Sequence, residues 1–297
     1  MAEHDDWLFY GIVVPVFTPF TESKEVDYEG LAALVDWLCD RTVHVLFPMG
    51  GSGEWWTLSV PERRRIIDVV LETAGDRVPV VPNVGASSLK DTLELCEYAS
   101  RAGASAIGVV IPDSLAPGQD SLYEFFAEID QVADRPIMIY DPRGEGDLSP
   151  TPETVVRMLD ELEHIAAMKY RTTNAERMAN MCWKVQNRMT ILSGVEFTFL
   201  SDLAYGARGV VGGGCNIFPE EIHAIQEAFE DGDIERARQQ QFRVLEINQH
   251  LAGVDWPASG KLAVRARGVR ITPVCRAEVR NPSPREVQEI ESYFAAL

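Results

Sequence analysis

Short apolar runs that do not alternate with polar residues recur along the whole chain. They are GIVVPVFTP (11–19), VHVLFPMG (43–50), VPVVPNVG (78–85), AIGVVIP (106–112), PIMIYD (136–141), HIAAMKY (164–170), MTILSG (189–194) and GVVGGG (209–214). Continuous Val/Ile-rich runs are the pattern of parallel strands covered on both faces. The segments between them have helical spacing. In 26–40, Leu31, Leu34, Val35 and Leu38 form one apolar stripe, with acidic residues in the first turn. In 59–76, Ser59 is a candidate N-cap, Pro61 and Glu62 fall in the first turn, and Gly75 marks the stop. Residues 87–103 and 149–162 repeat the scheme. Alternation eight times over predicts an α/β fold, a (β/α)8 TIM barrel; an open doubly wound sheet is the alternative, because alternation alone does not demand closure. Three further helical segments follow the eighth unit. The chain therefore divides into a barrel over 1–232 and a C-terminal helical extension over 233–297 of the same domain, with no Ser/Gly/Pro-rich linker between units.

Composition narrows the function classes. The 297-residue chain carries a formal charge of −19, which argues against nucleic acid as a partner, since its backbone is bound through Lys/Arg clusters. An anionic substrate must then be met by local positive groups. Cys39, Cys96, Cys182, Cys215 and Cys275 are odd in number and scattered, with no CxxC pair. That is the usage of reduced thiols in a cytoplasmic protein. The N-terminal MAEHDDWLFYG lacks the basic region of a signal peptide, and no apolar stretch approaches the roughly 20 residues that cross a bilayer. The five histidines form no HxH or HExxH pattern, so no metal is expected, and neither a GxxxxGK[ST] loop nor a GxGxxG fingerprint is present.

Active sites of such barrels lie at the C-terminal ends of the strands. There the chain places GGSGE (50–54), YDPRG (140–144), KY (169–170), SGVE (193–196) and GGGCN (212–216). Tyr140 and Lys169 end the fifth and sixth runs, neighbouring strands about 5 Å apart. A lysine at the mouth of an apolar barrel is partly desolvated, which favours the neutral amine, and a neutral amine attacks a ketone to form a Schiff base. A nearby phenol can shuttle the protons this requires. Taken alone, Lys169 also reads as a solvated strand end and Tyr140 as packing; their joint placement favours chemistry. GGSGE offers backbone N–H groups to a carboxylate, or is a plain glycine turn. Trp55 and Trp56 point apart on any regular element.

In these segments the chain resembles the dihydrodipicolinate synthase/N-acetylneuraminate lyase family of class I aldolases. GGSGE is similar to the family's GxxGE carboxylate loop, IYDP to its tyrosine motif, AMKY to its lysine strand. LSGVE and GARGVVGGGCNIFPE resemble the ends of the seventh and eighth strands. The resemblance implies a barrel enzyme, usually a homotetramer, that binds pyruvate or another 2-oxo acid as an imine without cofactor. By position, Lys169 would be the imine lysine and Tyr140 the proton-transfer phenol. Gly51, Ser52 and Gly53 would hold the substrate carboxylate, and Gly194 and Val211 would line the pocket. Beside the resemblance, Glu196 reads as a group that meets substrate hydroxyls or acts as an acid, or as a solvated loop carboxylate, and Arg143, close to the place of the family's carboxylate-binding arginine, is the candidate for a distal carboxylate.

The sequence also departs from that pattern. Gly51 stands where the lysine-biosynthetic members have a relay threonine. No tyrosine stands near Ser114, where a second relay tyrosine would fall, and Glu145 falls near the expected carboxylate-binding arginine. FPMGGSGEWWTLS looks closer to the 5-dehydro-4-deoxyglucarate dehydratases, and Tyr170 suggests a reshaped pocket. The expectation is a homo-oligomeric lyase, dimer or tetramer, acting on a sugar-acid-like 2-oxo acid by aldol cleavage or dehydration. The alternatives are a pyruvate-condensing synthase and a non-catalytic binding barrel.

Overall fold

The computed structural model describes residues 8–297; the acidic start of the chain, residues 1–7, lies outside the described residues. Seven strands pair in parallel: β1 (Gly11–Val14), β2 (Val45–Leu46), β3 (Ile107–Val110), β4 (Ile137–Asp141), β5 (Ile165–Tyr170), β6 (Thr190–Ser193) and β7 (Gly209–Val210). Their order is β2-β1-β7-β6-β5-β4-β3. The third apolar run forms no ladder, although it was expected to be a strand. It makes isolated bridges instead, Leu46 to Val80 on one side and Asn83 to Gly108 on the other. The reason is local: Pro79 and Pro82 have no N–H to donate. The segment is still tied to both flanks, with Val81 N donating to Leu46 O at 2.8 Å and Gly108 N to Pro82 O at 2.9 Å. The result is a curled parallel sheet of the TIM-barrel type with helices outside it.

Eleven α-helices are present among the described residues: α1 (Tyr28–Cys39), α2 (Val60–Ala74), α3 (Leu89–Ala102), α4 (Gln119–Asp130), α5 (Pro152–Glu161), α6 (Ala175–Val185), α7 (Phe199–Tyr205), α8 (Pro219–Glu230), α9 (Ile234–Gln249), α10 (Ala258–Ala266) and α11 (Pro284–Phe294). Their starts follow the sequence signals. Asp27 accepts from Gly30 N at α1, Ser59 and Glu62 form a capping box at α2, and Thr151 caps α5. The last three helices make up a C-terminal helical part. No helix of the described residues is long and apolar enough to cross a membrane.

Strand alternation sorts the apolar residues into two layers. Ile137, Ile139, Ile165 and Met168 belong to the large core between sheet and helices, with Leu34, Ile67 and Phe126. Met138, Tyr140, Ala167, Leu192, Val13, Val45, Phe47 and Val211 form a second cluster inside the curl. On β5 the period of two sends Met168 and Tyr170 outward and Ala167 and Lys169 inward. Tyr170 therefore does not reshape the pocket, as its position beside the lysine suggested. It packs in the outer core.

Candidate active site

The register of β4 and β5 sets Tyr140 directly opposite Lys169. Both side chains enter the sheet's interior, where the Lys169 Nζ lies 4.3 Å from the Tyr140 ring centroid and 5.7 Å from that of Phe47. Tyr140 is itself held edge-on by Phe47, at 5.8 Å and 82°. Lys169 is buried. Loss of solvation pulls its ammonium down to a pKa of about 7; the Arg171 charge pushes the same way and Glu196 opposes. A large share of the side chain is thus free amine near neutral pH. Burial pushes the Tyr140 phenol up to about 12, so it remains protonated.

Asp141 holds the loop after Tyr140. Its Oδ1 accepts from the N–H groups of Arg143 and Gly144 at 2.9 and 3.1 Å, and its Oδ2 accepts from the Ser149 hydroxyl at 2.5 Å. The carboxylate is fully buried and satisfied on both oxygens, which anchors the strand end carrying Tyr140.

The GGSGE segment turns tightly, with Gly53 N donating to Gly50 O and Glu54 N to Gly51 O, each at 3.1 Å. Gly51 approaches Tyr140 so closely that a Cβ there would lie 3.1 Å from the phenol oxygen. The turn is pinned from the far end of the chain. Glu54 Oε1 pairs with Lys261 Nζ at 2.7 Å, Glu54 Oε2 accepts from Ala277 N at 2.7 Å, and the Ser52 hydroxyl accepts from Trp256 Nε1 at 3.2 Å. On the opposite wall, Glu196 Oε1 accepts from Gly214 N at 2.9 Å.

These groups surround a cavity of about 530 Å³. Of the residues singled out in the sequence, Gly51, Ser52, Tyr140, Lys169, Gly194, Glu196 and Val211 line it. Two do not. Gly53 lies behind the turn, where a Cβ would sit 3.0 Å from Val16 O, so it is a packing glycine. Arg143 is turned aside, with its guanidinium donating to Asp113 and to Ile111 O. Trp55 and Trp56 meet edge to face at 6.2 Å and neither lines the cavity.

The structure adds Arg171, Asn248, Trp256 and Ser259 to the lining. Arg171 was legible in principle: it stands two residues after Lys169, so it shares the inward face. The other three arrive from the C-terminal helical part, and no local signal marks them.

Comparison with known proteins identifies the family. A family model described as the dihydrodipicolinate synthetase family matches residues 8–296. The chain is 32% identical to a 4-hydroxy-tetrahydrodipicolinate synthase from Methanopyrus kandleri, over 89% of this chain and 88% of that one. It is 32% identical to a protein of the same name from Thermus thermophilus, over 82% and 81%. Among solved structures it superposes on dihydrodipicolinate synthase from Aquifex aeolicus with a TM-score of 0.89 and 28% identity, covering 97% and 98% of the two chains. A prophage protein of the same family from E. coli K12, solved in complex with pyruvate, also gives 0.89, at 25% identity over 98% and 99%. These relatives do not specifically support the likeness to sugar-acid dehydratases drawn from the GGSGEWW loop. The chain belongs to the dihydrodipicolinate synthetase family and is an enzyme of its class I aldolase-type lyase kind.

Proposed function

We propose that the protein forms a Schiff base between Lys169 and a pyruvate-like 2-oxo acid, and that the resulting enamine enters a carbon–carbon bond-forming step with an aldehyde, on a (β/α)8 barrel whose eighth stave is the 78–85 segment. The observation that carries this is the buried Lys169 amine, lowered to about 7, beside the protonated Tyr140 phenol in one cavity. The substrate carboxylate lies against the Gly51–Ser52 turn. The Nζ lone pair attacks the ketone carbon, and the carbonyl oxygen takes a proton from Tyr140 as the carbinolamine forms. Loss of water leaves an iminium; loss of a proton from the adjacent carbon gives the enamine, whose carbon attacks the aldehyde. Hydrolysis of the product imine returns the free lysine. The relatives' name as synthases supports the condensing direction.

The reverse reading, cleavage of a hydroxylated acid, rests on Glu196, a buried carboxylate on the cavity wall available to a substrate hydroxyl. Borohydride reduction with a panel of 2-oxo acids, followed by peptide mapping, tests the imine; an adduct on Lys169 is expected. Steady-state assays in both directions then separate condensation from cleavage. A dimer or tetramer is part of the same reading, and light scattering measures it.

A further inference from the structure

Glu196 is carried by the loop that follows β6, and a buried carboxylate that does not itself line the cavity holds that loop. The Ser193 hydroxyl, at the end of β6, donates to Asp202 Oδ2 at 2.5 Å, and the Thr198 hydroxyl donates to the same oxygen at 3.1 Å. Ser193 Oγ in turn accepts from Val195 N at 3.2 Å, one residue before Glu196. Ser193 and Asp202 are both buried, and Asp202 belongs to α7. A buried carboxylate is costly to keep unless it is paired. Among the described residues no cation pairs with Asp202. Burial pushes its carboxyl up to about 6, opposed by the hydroxyls of Ser193, Thr198 and Ser201. Its charge is felt by the Cys182 thiol of α6, which burial keeps neutral. An apolar side chain would fill this place at lower cost. What the carboxylate adds is a fixed acceptor for the hydroxyls of the loop. At the far end of the loop Glu196 is tightly set. Its Oε1 accepts from Gly214 N at 2.9 Å, and a Cβ at Gly212 would lie 2.5 Å from its Oε2. From there its charge favours the Lys169 ammonium, against the effect of burial.

We infer that Asp202 is a positioning residue: through Ser193 it fixes the loop that sets the Glu196 carboxylate in the Lys169 cavity. This rests on the Lys169 reading above for its effect on the reaction, but the placement itself is a property of the free protein. Its consequence is electrostatic. With the loop released, the Glu196 charge moves away and the Lys169 amine becomes neutral at lower pH.

The chain's lysines are Lys24, Lys90, Lys169, Lys184 and Lys261, so a 13C-lysine NMR titration of the intact protein resolves Lys169, assigned by its loss in Lys169→Met. Glu196→Gln should move the Lys169 midpoint from about 7 to about 6, the effect of losing one nearby opposite charge. Asp202→Ala should move it most of the same way, and should add nothing in the Glu196→Gln background. Asp202→Asn retains an oxygen for both hydroxyls and should stay near the wild type. Met158→Ala, a truncation in the core on α5, should lower stability and leave the midpoint in place. A midpoint unmoved by Glu196→Gln or by Asp202→Ala overturns the assignment. So does an equal shift in Asp202→Asn, which would trace the effect to the Asp202 charge itself, or in Met158→Ala, which would trace it to lost stability. Borohydride trapping on the same samples is a separate readout. Absence of any Lys169 adduct would overturn the Schiff-base reading, while the titration would still decide the role of Asp202.

Discussion

Lys261 and Glu54 form an ion pair at 2.7 Å with both side chains fully buried, joining the C-terminal helical part to the glycine turn at the cavity. Lys261 also donates to Val274 O at 2.8 Å, and Glu54 receives Ala277 N, so neither charge is left with a single partner. Such a pair stabilises little beyond a well-packed apolar substitute, yet removing one member strands the other charge in the interior. Lys261→Met should lose about 3–5 kcal/mol in denaturant unfolding, and Glu54→Gln with Lys261→Met should recover part of that loss. KM for the 2-oxo acid should rise in the single variant, because the Gly51–Ser52 turn loses its anchor.

The Lys169 amine sets a pH dependence. Its value falls from the ordinary 10.5 to about 7 on folding. The neutral fraction, and with it the rate of adduct formation, should increase through pH 7 and level off above it. Arg171→Met removes a neighbouring positive charge, so the midpoint should move upward. Stopped-flow imine formation against pH measures both.

The same shift bears on stability. Between about 7 and 10.5 the unfolded chain binds a proton that the folded chain does not, so stability from this group rises with pH across that window, and the burial penalty is fully present below it. Lys169→Met should abolish the borohydride adduct and raise the unfolding free energy at pH 7 by on the order of 4–5 kcal/mol. Above pH 10.5 the two proteins should converge, as thermal unfolding across pH will show.

Tyr140→Phe keeps the ring against Phe47 and the Lys169 amine but removes the proton donor. Turnover should fall about 10²- to 10⁴-fold, the range for a positioned acid–base group, while calorimetry still detects the 2-oxo acid. Unchanged turnover would remove the phenol from the mechanism.

Trp256→Phe retains the packing on Phe17, whose ring lies 5.2 Å away, but loses the N–H that donates to the Ser52 hydroxyl. KM should rise about two- to tenfold, the worth of one hydrogen bond, with kcat less affected.

Much of the site is readable along the chain because strands impose a period of two and barrels gather strand ends. IAAMKY carries its own answer: with Ala167 inside, Lys169 is inside and Tyr170 outside. The same rule extends to Arg171, which was not singled out; attention went to Arg143, which the structure ties to Asp113 instead. The third apolar run shows the opposite limit, since its composition suits a strand while Pro79 and Pro82 withhold the donors a ladder needs.

Sequence alone determined the order of the helices, the Ser59 cap of α2 and the alternation along each strand, since each depends on neighbours a few positions away. Tertiary structure decided which distant groups meet: Trp256 with Ser52, Lys261 with Glu54, and Glu196 with Gly214 on the cavity wall. Those contacts span 18 to more than 200 positions, and no local period encodes them. Burial by the assembled fold likewise lowers the Lys169 pKa, because desolvation depends on everything packed around the amine.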